Sequence, residues 1–210
     1  IYLQSETLTS SNQKSDFYSG FINLKFDSLD DKYFPTKGFY VSGDFQSYLT
    51  PSDFSVKINP FSVAKGEILV ATHFLKKITF KLQSEIGFTV GNRDIPMLNF
   101  AFGGYGFNTL PNIKPLLGYD FLSLSSNSFL KNTVALDYEF YSKHHVNIVM
   151  NQANIADDLF RNTIKISVPR FSGYAVGYGL QTLIGPLELK YSWSPETAKG
   201  YVWFNLGFGF

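Results

Sequence analysis

Few residues of this 210-residue chain suit chemistry by type and spacing. His144 and His145 are adjacent. Neighbours on a strand point to opposite faces, so the two imidazoles are poorly placed to share a metal ion and read as turn or interface histidines. Asp157 and Asp158 follow NQANIA and offer a cation two carboxylates with no further oxygen ligands. They read as part of a solvated loop. The sequence contains no G-x-S-x-G elbow for a serine nucleophile, no P-loop and no H-E-x-x-H zinc motif. No catalytic, cofactor-binding or metal-binding residue is therefore expected, and the chain is not expected to be an enzyme.

What remains is ionic. Lys81, Glu85, Lys131, Asp137, Glu139, Glu188 and Lys190 fall on the polar positions of segments whose alternate positions are apolar. In ITFKLQSEIGFTVG, residues 78–91, Ile78, Phe80, Leu82, Ile86, Phe88 and Val90 interleave with Thr79, Lys81, Gln83, Glu85 and Thr89. Residues 129–140, 186–194 and 201–210 alternate in the same way. A period of two marks a sheet with one apolar and one polar face.

Composition narrows the setting of that sheet. A formal net charge of +1 gives no basic footprint for nucleic acid, and the absence of Cys rules out disulfides and thiolate metal sites. No apolar run reaches the roughly 18 residues of a membrane helix. The opening IYLQSETL lacks the features of a secretory leader, so the chain reads as a mature protein or the tail of a longer one.

About ten strands are expected, near 2–9, 16–27, 37–49, 62–76, 78–91, 128–141, 144–156, 173–185, 186–194 and 200–210, with 161–168 read as loop. Several run 12 residues or more, enough to cross a bilayer at a tilt. Links near 76–78, 142–144 and 185–186 are tight, and those near 50–61, 92–127 and 157–171 are long. Short turns at one end and long loops at the other are the pattern of an outer-membrane barrel with its short turns and both termini on the periplasmic side. A soluble sandwich or lipocalin-like barrel also alternates, but charged residues are only 17% of the chain, and the Phe, Tyr, Leu and Trp side chains exceed the volume of a small lumen. The predicted class is all-β: a transmembrane, antiparallel, up-and-down barrel forming one segment over residues 1–210. Hydrocarbon lies outside it and the charges inside. Their mixed signs predict a salt-bridged wall rather than a selectivity ring.

DDKYFPTKGFYVSGDF, residues 30–45, resembles the strand–turn–strand signature of the bacterial surface antigen superfamily of outer-membrane assembly and translocation barrels. The turn residues are Tyr33, Phe34, Pro35, Thr36, Lys37 and Gly38; Pro35 fixes φ, Gly38 accommodates a positive one, and Tyr33, Phe34, Phe39 and Tyr40 are expected in an aromatic girdle. FGGYGFN at 102–108 and LLGYDFLSL at 116–124 are placed as in the family's lumen-entering loop, here 92–127, with Gly103, Gly104, Leu117, Gly118 and Tyr119 as its key positions. SGYAVGYGLQTLIGPLELKYS at 172–192 is similar to the penultimate hairpin with its Gly-Pro turn. Phe204, Phe208 and Phe210 resemble the terminal assembly signal.

The resemblance implies a barrel of about sixteen strands of which these form the C-terminal part. The family loop usually carries Arg before its Gly-aromatic pair, where it pairs with wall carboxylates; here that position is Leu117, so Asp137 and Glu139 lack this partner. That departure is most like the patatin-type branch. The implied function is membrane anchor and translocation route for an N-terminal patatin-like domain outside this chain, the alternatives being an assembly or secretion barrel or a passive porin. The implied partners are outer-membrane lipid, the outer-membrane assembly machinery during biogenesis, and other subunits or further N-terminal strands.

Overall fold

Long alternating segments can satisfy every backbone donor and acceptor by pairing with neighbours on both sides, which is what a membrane demands of strands. In the computed structural model, which describes residues 2–10, 13–51, 60–91, 99–106, 112–161 and 168–207, this pairing is realised for every long strand but the first and the last. The strands are β1 (Tyr2–Ser10), β2 (Gln13–Asp27), β3 (Gly38–Pro51), β4 (Phe61–Leu75), β5 (Ile78–Gly91), β6 (Phe100–Phe102), β7 (Ile113–Lys114), β8 (Leu124–Ser126), β9 (Ser128–Tyr141), β10 (His144–Ile155), β11 (Phe171–Thr182), β12 (Gly185–Ser194) and β13 (Lys199–Leu206). Ten of them form one antiparallel sheet in chain order, β1-β2-β3-β4-β5-β9-β10-β11-β12-β13, which is not closed between β1 and β13. The short β6, β7 and β8 form a separate sheet within the connection from β5 to β9. A strand of 14 residues such as β5 is about 48 Å long and, tilted by roughly 45°, rises about 34 Å, enough for the apolar band of an outer membrane.

Burial is inverted relative to a soluble protein. Lys131 and Lys190 are 3% and 6% exposed, whereas Leu24 and Phe204 are 70% and 67% exposed. Ile22, Leu24 and Phe26 on β2, Ile68 and Val70 on β4, Leu136 on β9, Ile148 on β10 and Val202 on β13 all face outward. Only hydrocarbon solvates such a belt favourably, so the apolar face meets lipid and the soluble-barrel alternative fails.

The links between β4 and β5, β9 and β10, and β11 and β12 are two-residue turns at one end of the sheet. The last is displaced from its expected place. Leu183 and Ile184 form the turn, while Gly185 and Pro186 begin β12. The Thr182 hydroxyl donates to the Gly185 carbonyl at 2.6 Å and accepts the Ile184 N–H at 3.3 Å. These bonds close the turn one pair earlier than the Gly-Pro dipeptide suggests. Residues 162–167 of the stretch read as loop lie outside the described residues, and Leu159–Arg161 form a short 3-10 turn.

The connection 28–37 leaves the same end as these tight turns. Asp31 Oδ1 accepts the Tyr33 and Phe34 N–H groups at 2.7 and 2.8 Å, and Asp30 Oδ1 accepts those of Thr36 and Lys37 at 2.8 and 3.1 Å. Gly38 follows at φ 108°. Two members of the expected girdle are not there. Phe34 is buried on the inner face against His145, because the Asp31 turn folds inward. Tyr40 alternates with the outward Phe39 and so shares the inner side of β3 with Tyr48. Phe39 does face outward and stacks on Phe26 at 5.1 Å.

Candidate functional site

The inner face of the sheet carries the polar half of alternating strands such as β5, β9 and β12, and the described part of the connection 92–127 lies on it. Of that connection, residues 99–106 and 112–127 are described. Phe100 and Phe102 on β6 meet the Phe129 ring edge-on at 4.8 and 5.1 Å, in an apolar cluster with Tyr48, Phe61 and Leu116. Burial of these large rings favours docking of the loop on the wall. Gly103 and Gly104 follow β6, where the Gly103 N–H donates to the Lys114 carbonyl at 3.3 Å and that of Gly104 to the Tyr119 carbonyl at 3.0 Å.

Leu117, Gly118 and Tyr119 lie across β11 and β12. The Gly118 N–H donates to Ser192 Oγ at 3.2 Å, and the Gly118 carbonyl accepts the Thr197 hydroxyl at 3.0 Å. Gly118 has φ 78°, and a Cβ there would lie 2.3 Å from the Trp193 carbonyl carbon. On the wall side, a Cβ on Gly173 would lie 1.9 Å from the Leu117 carbonyl oxygen. Glycine on both surfaces thus lets two backbones touch. Leu117, which occupies the expected Arg position, packs on Val149 and Ala175. The Tyr119 hydroxyl accepts from Ser194 Oγ at 3.2 Å, and Glu196 accepts from Ser172 and Ser194.

The wall charges fall into separate networks. Glu85 binds Lys114 of the loop at 2.9 Å and Lys131 of β9, whose Nζ also donates to the Pro115 carbonyl at 3.1 Å. Toward the tight-turn end, Asp137 binds Lys81 at 3.3 Å and His145 Nδ1 at 2.6 Å. On β12, Glu188 lies 3.4 Å from Lys190 and accepts the Tyr105 hydroxyl at 2.7 Å, with the Lys190 ammonium 3.9 Å from the Tyr105 ring centroid. Glu139 stands apart from these networks and accepts the Lys143 N–H of the β9–β10 turn at 3.0 Å.

At the mouth, burial pushes the Asp30 and Asp31 carboxyls up, but the donors converging on them prevail. Thr36 and Lys37 hold Asp30 at about 2, and Phe34, Tyr33 and Gln181 hold Asp31 below its usual value. Asp31 Oδ2 accepts the Gln181 amide of β11 at 2.8 Å, tying the connection to the far wall.

Sequence patterning missed Lys114, Tyr105 and His145 as members of these networks. Lys114 and Tyr105 sit in a connection without periodicity, whereas the inward face of His145 could be read from its register with Asn147. Asp157, expected in a solvated loop, accepts the Asn127 N–H at 2.9 Å and so fastens the start of β9. His144 faces away from His145 and meets the Tyr178 hydroxyl at 2.6 Å. Phe204 is outward and exposed, and Phe208 and Phe210 lie outside the described residues.

Comparison with known proteins accords with this architecture. The structure of BamA from Haemophilus ducreyi lacking POTRA domains 1-3 is similar to it, with a TM-score of 0.66 and 12% identity, covering 87% of this chain and 40% of that one. The match thus spans two fifths of that chain's length, and the likeness is one of fold. No curated protein matches the sequence. The family model described as the OMP85 superfamily matches residues 1–210, and with its lipid-facing belt and ionic interior the chain belongs to that superfamily of bacterial outer-membrane barrels.

Proposed function

We propose that this barrel handles polypeptides at the outer membrane, in the assembly or translocation of other chains, rather than conducting solutes. One observation carries the reading: the inner wall is occupied by the barrel's own chain. Loop residues 99–106 and 112–127 meet β5, β9, β11, β12 and β13, and Phe34 meets β10 at the tight-turn end. A lumen filled in this way does not favour steady diffusion, whereas a barrel that works through its wall, or by moving the loop, has use for it. The mixed charges serve this interior by pairing, and the terminal aromatics Phe204, Phe208 and Phe210 serve as the signal to the assembly machinery. The tight turns and the 28–37 connection face the periplasm in this reading.

A second reading has its own support. Leu117 makes an apolar contact where the family's Arg would make an ionic one, which suits the patatin-type branch, a barrel that anchors and exports an attached domain. Depleting the protein from its own cells separates the two. Loss of many unrelated outer-membrane barrels supports assembly, and loss of surface display of a domain attached to this barrel, with other barrels at normal levels, supports the anchor. A steady wide conductance of the purified protein in planar bilayers would overturn both.

A further inference from the structure

Lys114 sits where the wall is one positive charge short. Around Glu85 the described strands contribute three carboxylates, Asp44 of β3, Glu67 of β4 and Glu85 of β5, against two ammonium groups, Lys65 of β4 and Lys131 of β9. The loop supplies the third cation. Lys114 Nζ lies 2.9 Å from Glu85 Oε1 and is close enough to Glu67 and Asp44 to feel both. Glu85 turns its other oxygen to Lys131, and Lys131 holds the carbonyl of Pro115, the residue after Lys114. The Glu85 and Lys131 side chains are 4% and 3% exposed, so a charge left unpaired here has little water to turn to.

We propose that Lys114 is the positioning residue that seats the lumen loop: its ammonium neutralises an anionic recess on β3, β4 and β5, and so places Leu117, Gly118 and Tyr119 on β11 and β12. The charge fastening has its own place in the loop. It lies three residues ahead of Leu117, which makes an apolar contact with Val149 of β10 and Ala175 of β11. With the loop lifted, the recess faces the lumen with net negative charge, which favours return of the loop over an open channel. The inference stands whichever polypeptide the barrel handles.

The sequence contains no Cys, so a single reporter thiol is unambiguous. Leu117→Cys places it at a site now 4% exposed. A water-soluble maleimide is applied to outer-membrane fragments containing the whole protein, and folded barrel is scored by its heat-modifiable migration. Lys114→Glu in that background is expected to raise the labelling rate of folded barrel by about tenfold or more, as local opening exposes the thiol. Lys114→Arg should leave it protected. Where Lys114→Glu does not yield folded barrel, Lys114→Met removes the cation without adding an anion and should still label faster than the parent. Labelling unchanged by Lys114→Glu or by Lys114→Met, or Lys114→Arg as reactive as Lys114→Glu, would overturn the proposal. Depletion phenotypes do not enter this readout, so its failure is distinct from failure of the assembly reading.

Discussion

Phe34 lies flat on the His145 imidazole, the ring centroids 4.1 Å apart and the planes 8° from parallel. Four strand spacings separate β3 from β10 along the sheet, about 19 Å on a flat surface. The contact therefore closes a chord across the mouth. Below it, His145 is held by Asp137, which also binds Lys81, and the Lys81 ammonium lies 5.8 Å from the Phe34 ring centroid. An aromatic face toward a cation and a stacked imidazole joins the connection to the ionic wall.

Removing that ring should loosen the mouth. Phe34→Ala deletes a side chain that is 5% exposed and is expected to cost about 3–5 kcal/mol, the range for buried Phe truncations. Gly179 offers a second route, since a Cβ there would lie 2.7 Å from the ring. Gly179→Val should displace Phe34 and mimic its loss while leaving its chemistry intact. Denaturant unfolding from lipid vesicles reads both. An unchanged midpoint for Phe34→Ala would show that the cross-lumen contact adds nothing.

Acid should release the same connection from its other side. Asp30, ordinarily at 3.8, is held at about 2 in the folded turn, and Asp31 is also lowered. A depressed carboxyl stabilises the fold fully above its unfolded value and loses that contribution as pH falls toward the folded one. Protection of the Thr36 and Lys37 amides against hydrogen exchange, corrected for intrinsic rates, should therefore drop between about pH 4 and pH 2. Asp30→Asn should weaken protection at neutral pH and flatten this dependence. A pH-independent profile in the parent would mean that the carboxylate does not order the turn.

The loop's seat on β11 and β12 is steric and invites a paired comparison. Gly118→Ala and Gly173→Ala each thrust a methyl into backbone, at 2.3 and 1.9 Å, whereas a Cβ on Gly43 would meet nothing within 4 Å. The first two should cost roughly 1–3 kcal/mol or more and raise protease sensitivity within 112–127, while Gly43→Ala should be near neutral. Equal behaviour of all three would separate the effect from backbone contact.

The wall was legible in the sequence because a membrane sheet writes its two solvents into every second residue. Phe80 against Lys81 and Leu136 against Asp137 assign both faces without reference to any distant residue, and strand ends followed within a few positions. What patterning did not resolve depends on contacts between elements remote in sequence. Leu183 and Ile184 form a turn because Thr182 and Gly185 bond to each other, although Gly-Pro is the stronger local turn signal. Phe34 turns inward because Asp31 gathers two N–H groups on one oxygen and the amide of Gln181, a residue 150 positions away, donates to the other. Lys114 has no alternating neighbours to reveal its side, and its meaning appears only beside Glu85.

Lipid exposure of the apolar face makes the sharpest energetic demand. Leu136 lies between Phe80 and Ile148 in the registers of β9 with β5 and β10, near the middle of its strand. Its side chain points away from the ionic wall, so Leu136→Arg places a cation in hydrocarbon and should destabilise the barrel by about 2–4 kcal/mol if it sits near the midplane. The same change at Tyr141, at the end of β9 and 68% exposed, falls at the headgroup level and should cost about 0–1 kcal/mol. Unfolding from vesicles measures the difference. Equal costs at Leu136 and Tyr141 would show that depth does not govern this face and that water, not lipid, meets it.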